Sequence, residues 1–346
     1  MSDATIVREP LAGPAAWRGE DLTPADWLYE LSSDEAAEID RLRQELVARG
    51  EGLGAITPES TPIPALADTI AHWFDRVENG VGFVVVRGLD ISGWSEREVG
   101  LAYYAIGRQA GWPVKQNAAG HLLGHVRDTG RDIFTDPNAR GYQVKIALPF
   151  HTDTSTDVLA LCCYRTAKSG GLSALAPLQT IYNEVLAQRA DLIDTFYEPF
   201  NFDCRDEEHP DGGPFYTRVL ASTVDGKISL RHNSGYARSS ARFEECPPLT
   251  EKQTELMAMV DALAADPAIH IQFALEPGDM VFVNNYAVMH SRSAFEDHEE
   301  EERKRHLLRL WLVLENGRPL APNFDNRAGL LTTADIREDG LDRIGS

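Results

Sequence analysis

Two hydrophobic periods take turns along this chain, and the places where one gives way to the other lay out its elements. From Thr23 to about Gly50 apolar residues recur at helical spacing, Ser32 and Glu35 make a capping box, and Gly50 supplies the stop, which predicts a helix. A second helix is predicted around Ala65 to Val77. The run from Gly82 to Arg87 is mostly β-branched and closed by Gly88, which predicts a strand buried on both faces, followed by a helix near Ser95 to Gly107.

Further on, Asp157 to Thr166 is another continuous apolar strand, ended by Ser169-Gly170-Gly171, with a helix expected from about Leu178 to Phe196. Between Tyr216 and Tyr236 two strands flank Asp225-Gly226, a strong hairpin signal. Thr250 and Gln253 cap a helix running to about Ala265. Strands follow at His270 to Leu275, Met280 to Asn284 and Leu307 to Leu314, with a turn at Glu276-Pro277-Gly278-Asp279. The pattern is α+β: many short strands in the middle and end favour a jelly-roll core with helices packed outside. One domain over 1–346 is expected, with a mainly helical portion at 1–80, the core at 81–320 and a tail at 321–346.

Composition narrows the partners. With 43% hydrophobic and 25% charged residues the chain can bury a sizeable core, and its net charge of −21 argues against nucleic acid, which demands a basic face. A small-molecule substrate is expected; homo-oligomerisation is compatible with the sequence. Cys162, Cys163, Cys204 and Cys246 form neither CxxC nor a paired framework and read as reduced structural thiols, adjacent Cys162 and Cys163 pointing to opposite faces of their strand. No run approaches the ~18 apolar residues of a membrane span and the first residues lack a signal-peptide pattern, so cytoplasmic residence is expected.

The sharpest chemical feature is Phe150-His151-Thr152-Asp153, just ahead of the Asp157 strand. In extended chain, residues two apart project to one side, so His151 and Asp153 offer an imidazole and a carboxylate to one point. Such a tripeptide alone is more often an ordinary polar pair. It gains weight from Asn284-Asn-Tyr-Ala-Val-Met-His290, 139 positions later, because two imidazoles and one carboxylate suit iron(II) while leaving coordination positions open. Beyond it, Arg305 and Arg309 stand in the apolar run Arg305-His-Leu-Leu-Arg-Leu-Trp-Leu312. A guanidinium there invites a carboxylate ligand, although a salt bridge to the acidic stretch Glu296 to Glu302 would also satisfy it.

Together these motifs resemble the TauD/TfdA family of Fe(II)/2-oxoglutarate-dependent dioxygenases, the family of taurine dioxygenase and γ-butyrobetaine hydroxylase, over roughly Gly82 to Leu314. The resemblance implies a double-stranded β-helix, a cupin-like jelly roll. It implies that His151, Asp153 and His290 are the metal and catalytic residues, with Fe(II), 2-oxoglutarate and O2 as cofactor and co-substrates. Arg305 then matches the arginine that grips the far carboxylate of 2-oxoglutarate, and Arg309 is a second cation for co-substrate or substrate. Ser173, in Gly170-Gly171-Leu172-Ser173, stands where the family has a threonine, keeping the hydroxyl and losing the methyl. Asp153 occupies the position that related halogenases leave to a small residue, which disfavours halogenation. The implied reaction is hydroxylation of a small anionic or zwitterionic metabolite with release of succinate and CO2; desaturation or cleavage would use the same equipment. Tyr142, Gln143 and Lys145, just upstream of the tripeptide, and Arg231, Tyr236 and Arg238 are candidate substrate residues.

Three alternatives compete. His121-Leu-Leu-Gly-His125 has the i, i+4 spacing of helical zinc proteases but lacks the glutamate and lies in poor helix sequence. His306 and His298 are alternative third ligands; His306 should point away from Arg305, its strand neighbour. A non-catalytic or zinc-occupied jelly roll would need no dicarboxylate clamp, and neither GxSxG nor a Cys–His nucleophile is discernible.

Overall fold

The computed structural model describes residues 5–117, 120–154, 156–206 and 212–326. Most of the tail expected at 321–346 lies outside those residues. Strands β1 (Leu28–Glu30), β2 (Phe83–Arg87), β3 (Gly111–Pro113), β4 (Leu123–Val126), β5 (Leu148–His151), β6 (Val158–Arg165), β7 (Ser173–Pro177), β8 (Ile271–Phe273), β9 (Met280–Asn284), β10 (Val288–Arg292) and β11 (His306–Leu314) build two sheets. The larger runs β1-β2-β9-β6-β11-β3, with β4 also paired to β11, and the smaller runs β8-β7-β10-β5.

Period-two alternation explains why the large-sheet strands read as continuous apolar runs. On β11, Leu308, Leu310 and Leu312 face outward with Val84, Val86, Cys162 and Phe282. Helices α1 (Ser33–Arg49), α2 (Ala67–Asn79) and α3 (Glu96–Arg108) cover that face with Ile39, Leu42, Trp73 and Tyr104. Leu307, Trp311 and Val313 face inward with Phe83, Leu159 and Val283, against Leu175 and Val288 of the small sheet. Cys162 and Cys163 thus fall in different cores, and all four cysteines are buried and unbridged. The outer face of the small sheet is covered by α4 (Leu178–Gln188) and, beyond the short α5 (Ser234–Ser239), by α6 (Glu251–Ala264), through Ala176, Met289, Ile181 and Leu256.

The capped helices fall where the capping signals lie: Ser32, Ser95 and Thr250 each accept from the backbone N–H three residues on, and Gly50 closes α1 at φ +65°. Three expectations need correction. The first helix does not run unbroken from Thr23; one turn at Pro24–Trp27 gives way to β1, which pairs in parallel with β2, before Ser32 restarts the helix from extended backbone. Sheet pairing at Leu28↔Val85 outweighs local propensity there. The helix from Leu178 ends at Gln188, because Arg189 leaves helical angles, and 190–197 continue as a 3₁₀ turn. The hairpin about Asp225 (φ +50°) and Gly226 (φ +76°) joins only Ala221–Val224 to Lys227–Leu230. Tyr216 pairs with a different strand, and Tyr236 lies in α5.

Candidate active site

A cavity of about 230 Å³ opens between the two sheets, and its wall holds His151, Asp153, His290, Ser173, Arg305 and Arg309 together. Antiparallel pairing of β10 with β5 sets His290 directly opposite His151, with ring centroids 4.2 Å apart. Asp153 follows two residues after His151, and one donor atom from each of the three lies within 4.8 Å of the others. His290 arises not at the end of the Met280 strand but on β10, reached through a turn at 285–287.

Neighbouring groups hold these side chains in place. His151 Nδ1 lies 2.8 Å from the Pro149 carbonyl, so as the donor it leaves Nε2 free to act as a ligand. Trp311 Nε1 donates to Asp153 Oδ2 at 2.6 Å. The Asp153 backbone N–H donates to Asn285 Oδ1 (2.8 Å), while Asn285 Nδ2 donates to the carbonyls of Asp153 and Thr156 (2.9 and 3.0 Å). Asn285 is thus a buried clamp on the turn after β5. Neither Trp311 nor Asn285 was singled out from sequence; Asn285 lies inside the motif that ends in His290, and Trp311 is two residues past Arg309 on its face of the strand, so the period-two rule would have pointed to it.

The electrostatics suit a metal ligand set. Burial pushes His290 down to about 3, helped by His151, and burial also lowers His151. Both imidazoles are neutral at physiological pH, the form that coordinates. Burial opposes ionisation of Asp153, but His290, Arg309, His151 and the Trp311 N–H together keep it below the usual carboxylate range. His290 Nδ1 is buried without a hydrogen-bond partner.

A pH dependence follows. His290 and His306 are pushed to about 3 and His125 to about 4, chiefly by burial, against an ordinary value of 6.5. Between those values the unfolded chain binds protons that the folded chain refuses, so stability rises with pH across this window. The metal-free protein is expected to lose stability progressively as pH falls from about 6.5 toward 3–4, as measured by urea unfolding at stepped pH; a flat profile there would contradict the assignment.

The wall of the same cavity also holds three buried arginines. Arg305 is 4% exposed, forms no ion pair among the described residues and leaves Nη1 without a partner. Its guanidinium lies 5.1 Å from the Phe295 ring, and Gly171, at φ +70°, makes room for it: a Cβ there would stand 3.0 Å from Arg305 Nε. Arg292, on β10, donates through Nη2 to the carbonyls of Val144 (2.7 Å) and Ile146 (2.5 Å), while Nε and Nη1 are buried and unpartnered. Burial and the neighbouring Arg305 bring it down to about 9. Ser173 pairs in register with Arg292 across β7 and β10, so the two share a face. Arg309 donates from Nε to Gln116 (2.6 Å) and stacks between Tyr142 and Trp311, at 4.8 and 4.7 Å. Leaving such cations unpaired costs several kcal/mol each, so the cavity is built for an anion. Arg292 escaped the sequence reading, although the i, i+2 relation to His290 would have placed it on the same face.

The remaining candidates divide. Tyr142 and Tyr236 line the cavity, joined by Arg140 and Arg205. Gln143 does not: its carbonyl groups are turned to Arg140, Arg131 and Thr129, holding the preceding loop. Lys145 is exposed and meets Phe295 only through its backbone. Arg231 stacks 4.1 Å from Phe324 and donates to its carbonyl, lining a small neighbouring hollow instead. Arg238 is half exposed and paired with Asp261 (2.8 Å). His298 and His306 stand outside the cluster, and residues 123–126 of the HLLGH region form a strand, not a helix.

A two-histidine, one-carboxylate metal-ligand set facing an anion-binding cavity is the signature of a mononuclear metal oxygenase site. The comparisons agree: the family model described as "Taurine catabolism dioxygenase TauD, TfdA family" matches residues 48–311, and the chain belongs to that family. It is 30% identical over 322 residues to FR-33289 synthase of Streptomyces rubellomurinus, covering 90% of this chain and 93% of that protein. It is 29% identical over 315 residues to taurine hydroxylase-like protein SAT17 of Stachybotrys chartarum, covering 85% and 77%. Among solved structures it resembles asparagine oxygenase, with TM-score 0.64, 19% identity and 83% and 93% coverage. It also resembles the non-haem iron oxygenase OrfP, with TM-score 0.60, 18% identity and 83% and 94% coverage. No helix among the described residues is long and apolar enough to cross a membrane.

Proposed function

We propose that the protein is a non-haem Fe(II)- and 2-oxoglutarate-dependent oxygenase that hydroxylates a small anionic or zwitterionic metabolite, releasing succinate and CO2. One observation carries the reading: a single cavity holds both the His151–Asp153–His290 donor set and the unpaired, buried Arg305. A bare metal scaffold has no use for that cation, whereas a dicarboxylate co-substrate does. Support comes from asparagine oxygenase, whose structure holds Fe(II), 3-hydroxyasparagine and succinate, and from OrfP, seen with Fe and alpha-ketoglutaric acid.

Iron(II), when bound, supplies O2 activation and oxidation of the 2-oxo acid. The chain's own part is geometry. His151, Asp153 and His290 would hold the ion, and Trp311 and Asn285 keep Asp153 aimed. Arg305 and Ser173 take the far carboxylate of 2-oxoglutarate, with Arg292 as a second cation beside them. Fixing the co-substrate at a distance from the metal orients it before any chemistry starts. Arg309, Tyr142 and Tyr236, in the wall of the same cavity, present cationic and phenolic groups to the substrate, in keeping with a free amino acid or a similarly small zwitterion. The two sheets read as the double-stranded β-helix of this family. The N-terminal helices share a hydrophobic core with the large sheet, which favours one domain; a cytoplasmic setting and a capacity to self-associate complete the proposal.

Succinate formation with Fe(II), ascorbate and 2-oxoglutarate tests the reading. Slow uncoupled turnover, raised several-fold by some zwitterion in a substrate screen, is expected; tight zinc retention with no turnover would favour a binding protein instead. Two outcomes concern the supporting groups. Trp311→Phe, which deletes the donor to Asp153 and keeps an aromatic ring, is expected to weaken Fe(II) binding about 10–100-fold, read by anaerobic titration. Arg292→Met is expected to raise the KM for 2-oxoglutarate about tenfold, roughly 1.4 kcal/mol, with metal affinity unchanged. A KM at the parent value would remove Arg292 from the site.

A further inference from the structure

Two histidines that the catalytic centre leaves unused, His125 of the HLLGH region and His306, meet on the other side of β11. His306 is fully buried on the outer face of the strand, backing onto Arg305, whose guanidinium reaches the cavity. His125 comes from β4, paired with β11, and Glu96, the first residue of α3, reaches down from the helix end. His125 Nδ1 lies 2.9 Å from His306 Nε2 and 3.4 Å from Glu96 Oε1, while Glu96 Oε2 lies 3.4 Å from His306 Nδ1. One donor atom from each of the three lies within 4.8 Å of the others.

We propose that Glu96, His125 and His306 form a second metal site, separate from the catalytic centre, that takes a divalent transition metal of the zinc type. The donors are two imidazoles and a carboxylate, the nitrogen–oxygen set that zinc accepts in tetrahedral sites. With metal–ligand bonds of about 2.0–2.1 Å, tetrahedral donors stand roughly 3.3 Å apart, so the Glu96–His125 separation already fits, and the two imidazoles need to part by about half an ångström. Glu96 Oε2 also lies 3.4 Å from His306 Nδ1, so the carboxylate reaches both imidazoles. The three ligands come from three packed elements, so the site is rigid, and it opens to solvent past Glu96 and His125, whose side chains are 28% and 10% exposed. Burial keeps both imidazoles in the neutral, coordinating form.

Other charged groups around the cluster set its strength. Arg165 Nη2 stands 3.5 Å from His306 Nδ1, and Arg127 also acts on both histidines. Both cations oppose a divalent ion. They are partly answered by Glu96 itself and by Glu301 of the acidic stretch, while Arg165 spends another nitrogen on the Glu302 carbonyl at 2.5 Å. The site is therefore weaker than an all-neutral one and is suited to joining α3, β4 and β11 behind the strand that leads from Arg305.

Metal stoichiometry tests this without recourse to activity. The full chain, stripped with EDTA, is loaded with Zn²⁺ or Co²⁺, desalted and measured by elemental analysis, with the Co²⁺ visible spectrum recorded in parallel. Two equivalents per chain are expected, falling to one in His125→Gln and in Glu96→Gln, and also to one in His290→Ala. The single ion left in His290→Ala should show the intense Co²⁺ bands of a tetrahedral site. Because His306 is fully buried and its replacement risks misfolding, the partly exposed His125 and Glu96 carry the test, with circular dichroism confirming their folds. Unchanged stoichiometry in both His125→Gln and Glu96→Gln, or a parent chain whose only ion is lost in His290→Ala, overturns the proposal and leaves the trio as a hydrogen-bonded latch. An ion lost in His125→Gln but kept in His290→Ala would support this site even if the catalytic reading failed.

Discussion

His290→Ala is expected to abolish 2-oxoglutarate-dependent succinate formation, by about a thousandfold or more, while the fold survives. A thousandfold corresponds to about 4 kcal/mol of lost transition-state stabilisation. The loss should be that large because two remaining ligands cannot hold the ion in a fixed orientation against solvent. The side chain stands in the wall of an open cavity, so its removal leaves water-accessible space and no sealed void. Its burial as a neutral imidazole already works against the folded state at low pH. Thermal unfolding of the metal-free variant should therefore stay close to that of the parent. His121→Ala, at a histidine whose ring meets Asn117 outside the cluster, is the control and should keep parent activity. Parent-level turnover in His290→Ala would sink the assignment of the metal centre.

Arg305→Met separates a structural arginine from a co-substrate anchor more sharply than a simple loss of activity would. If Arg305 meets the far carboxylate of 2-oxoglutarate, removing it breaks a buried charge pair, a change that costs about 2–5 kcal/mol and raises the KM roughly 30-fold or more. The same substitution should leave the metal-free chain at parent stability or above it. In that state the guanidinium is buried, stacked on Phe295 and lacks an ion pair among the described residues, and burial has already lowered its pKa. Were Arg305 holding the fold together through a partner, its loss would cost about 3–5 kcal/mol of stability instead. Titration of 2-oxoglutarate in a decarboxylation assay, beside urea unfolding of the same samples, reads both quantities. A destabilised variant with an unaltered KM would overturn the anchor role.

Much of the site was legible because the family's motif residues stand close to elements with strong local signals. His151 and Asp153 sit at the end of a strand where alternation gives both the same side, and Arg305 and Arg309 belong to an apolar run whose parity fixes facing. The companions were harder to see. Trp311, Asn285 and Arg292 carry no motif of their own, since an indole, an amide or a guanidinium next to a known ligand reads as core or surface until a partner is known. Gln143 and Lys145 were drawn in by nearness along the chain, yet a short 3₁₀ turn at 141–143 aims only Tyr142 at the cavity and spends Gln143 on the loop behind it.

The amino-acid pattern by itself determined the capped helices, the buried strands, the hairpin turn and which residue types were available for metal and anion binding. These depend on local physics: capping geometry, the two-residue period of a strand and the positive φ of Asp225 and Gly226. Tertiary structure alone decided that β1 replaces part of the first helix, that His290 falls opposite His151, and that Glu96, His125 and His306 converge. Each of those joins residues far apart in the chain, and its stability comes from sheet register and shared burial, which no local window of sequence contains.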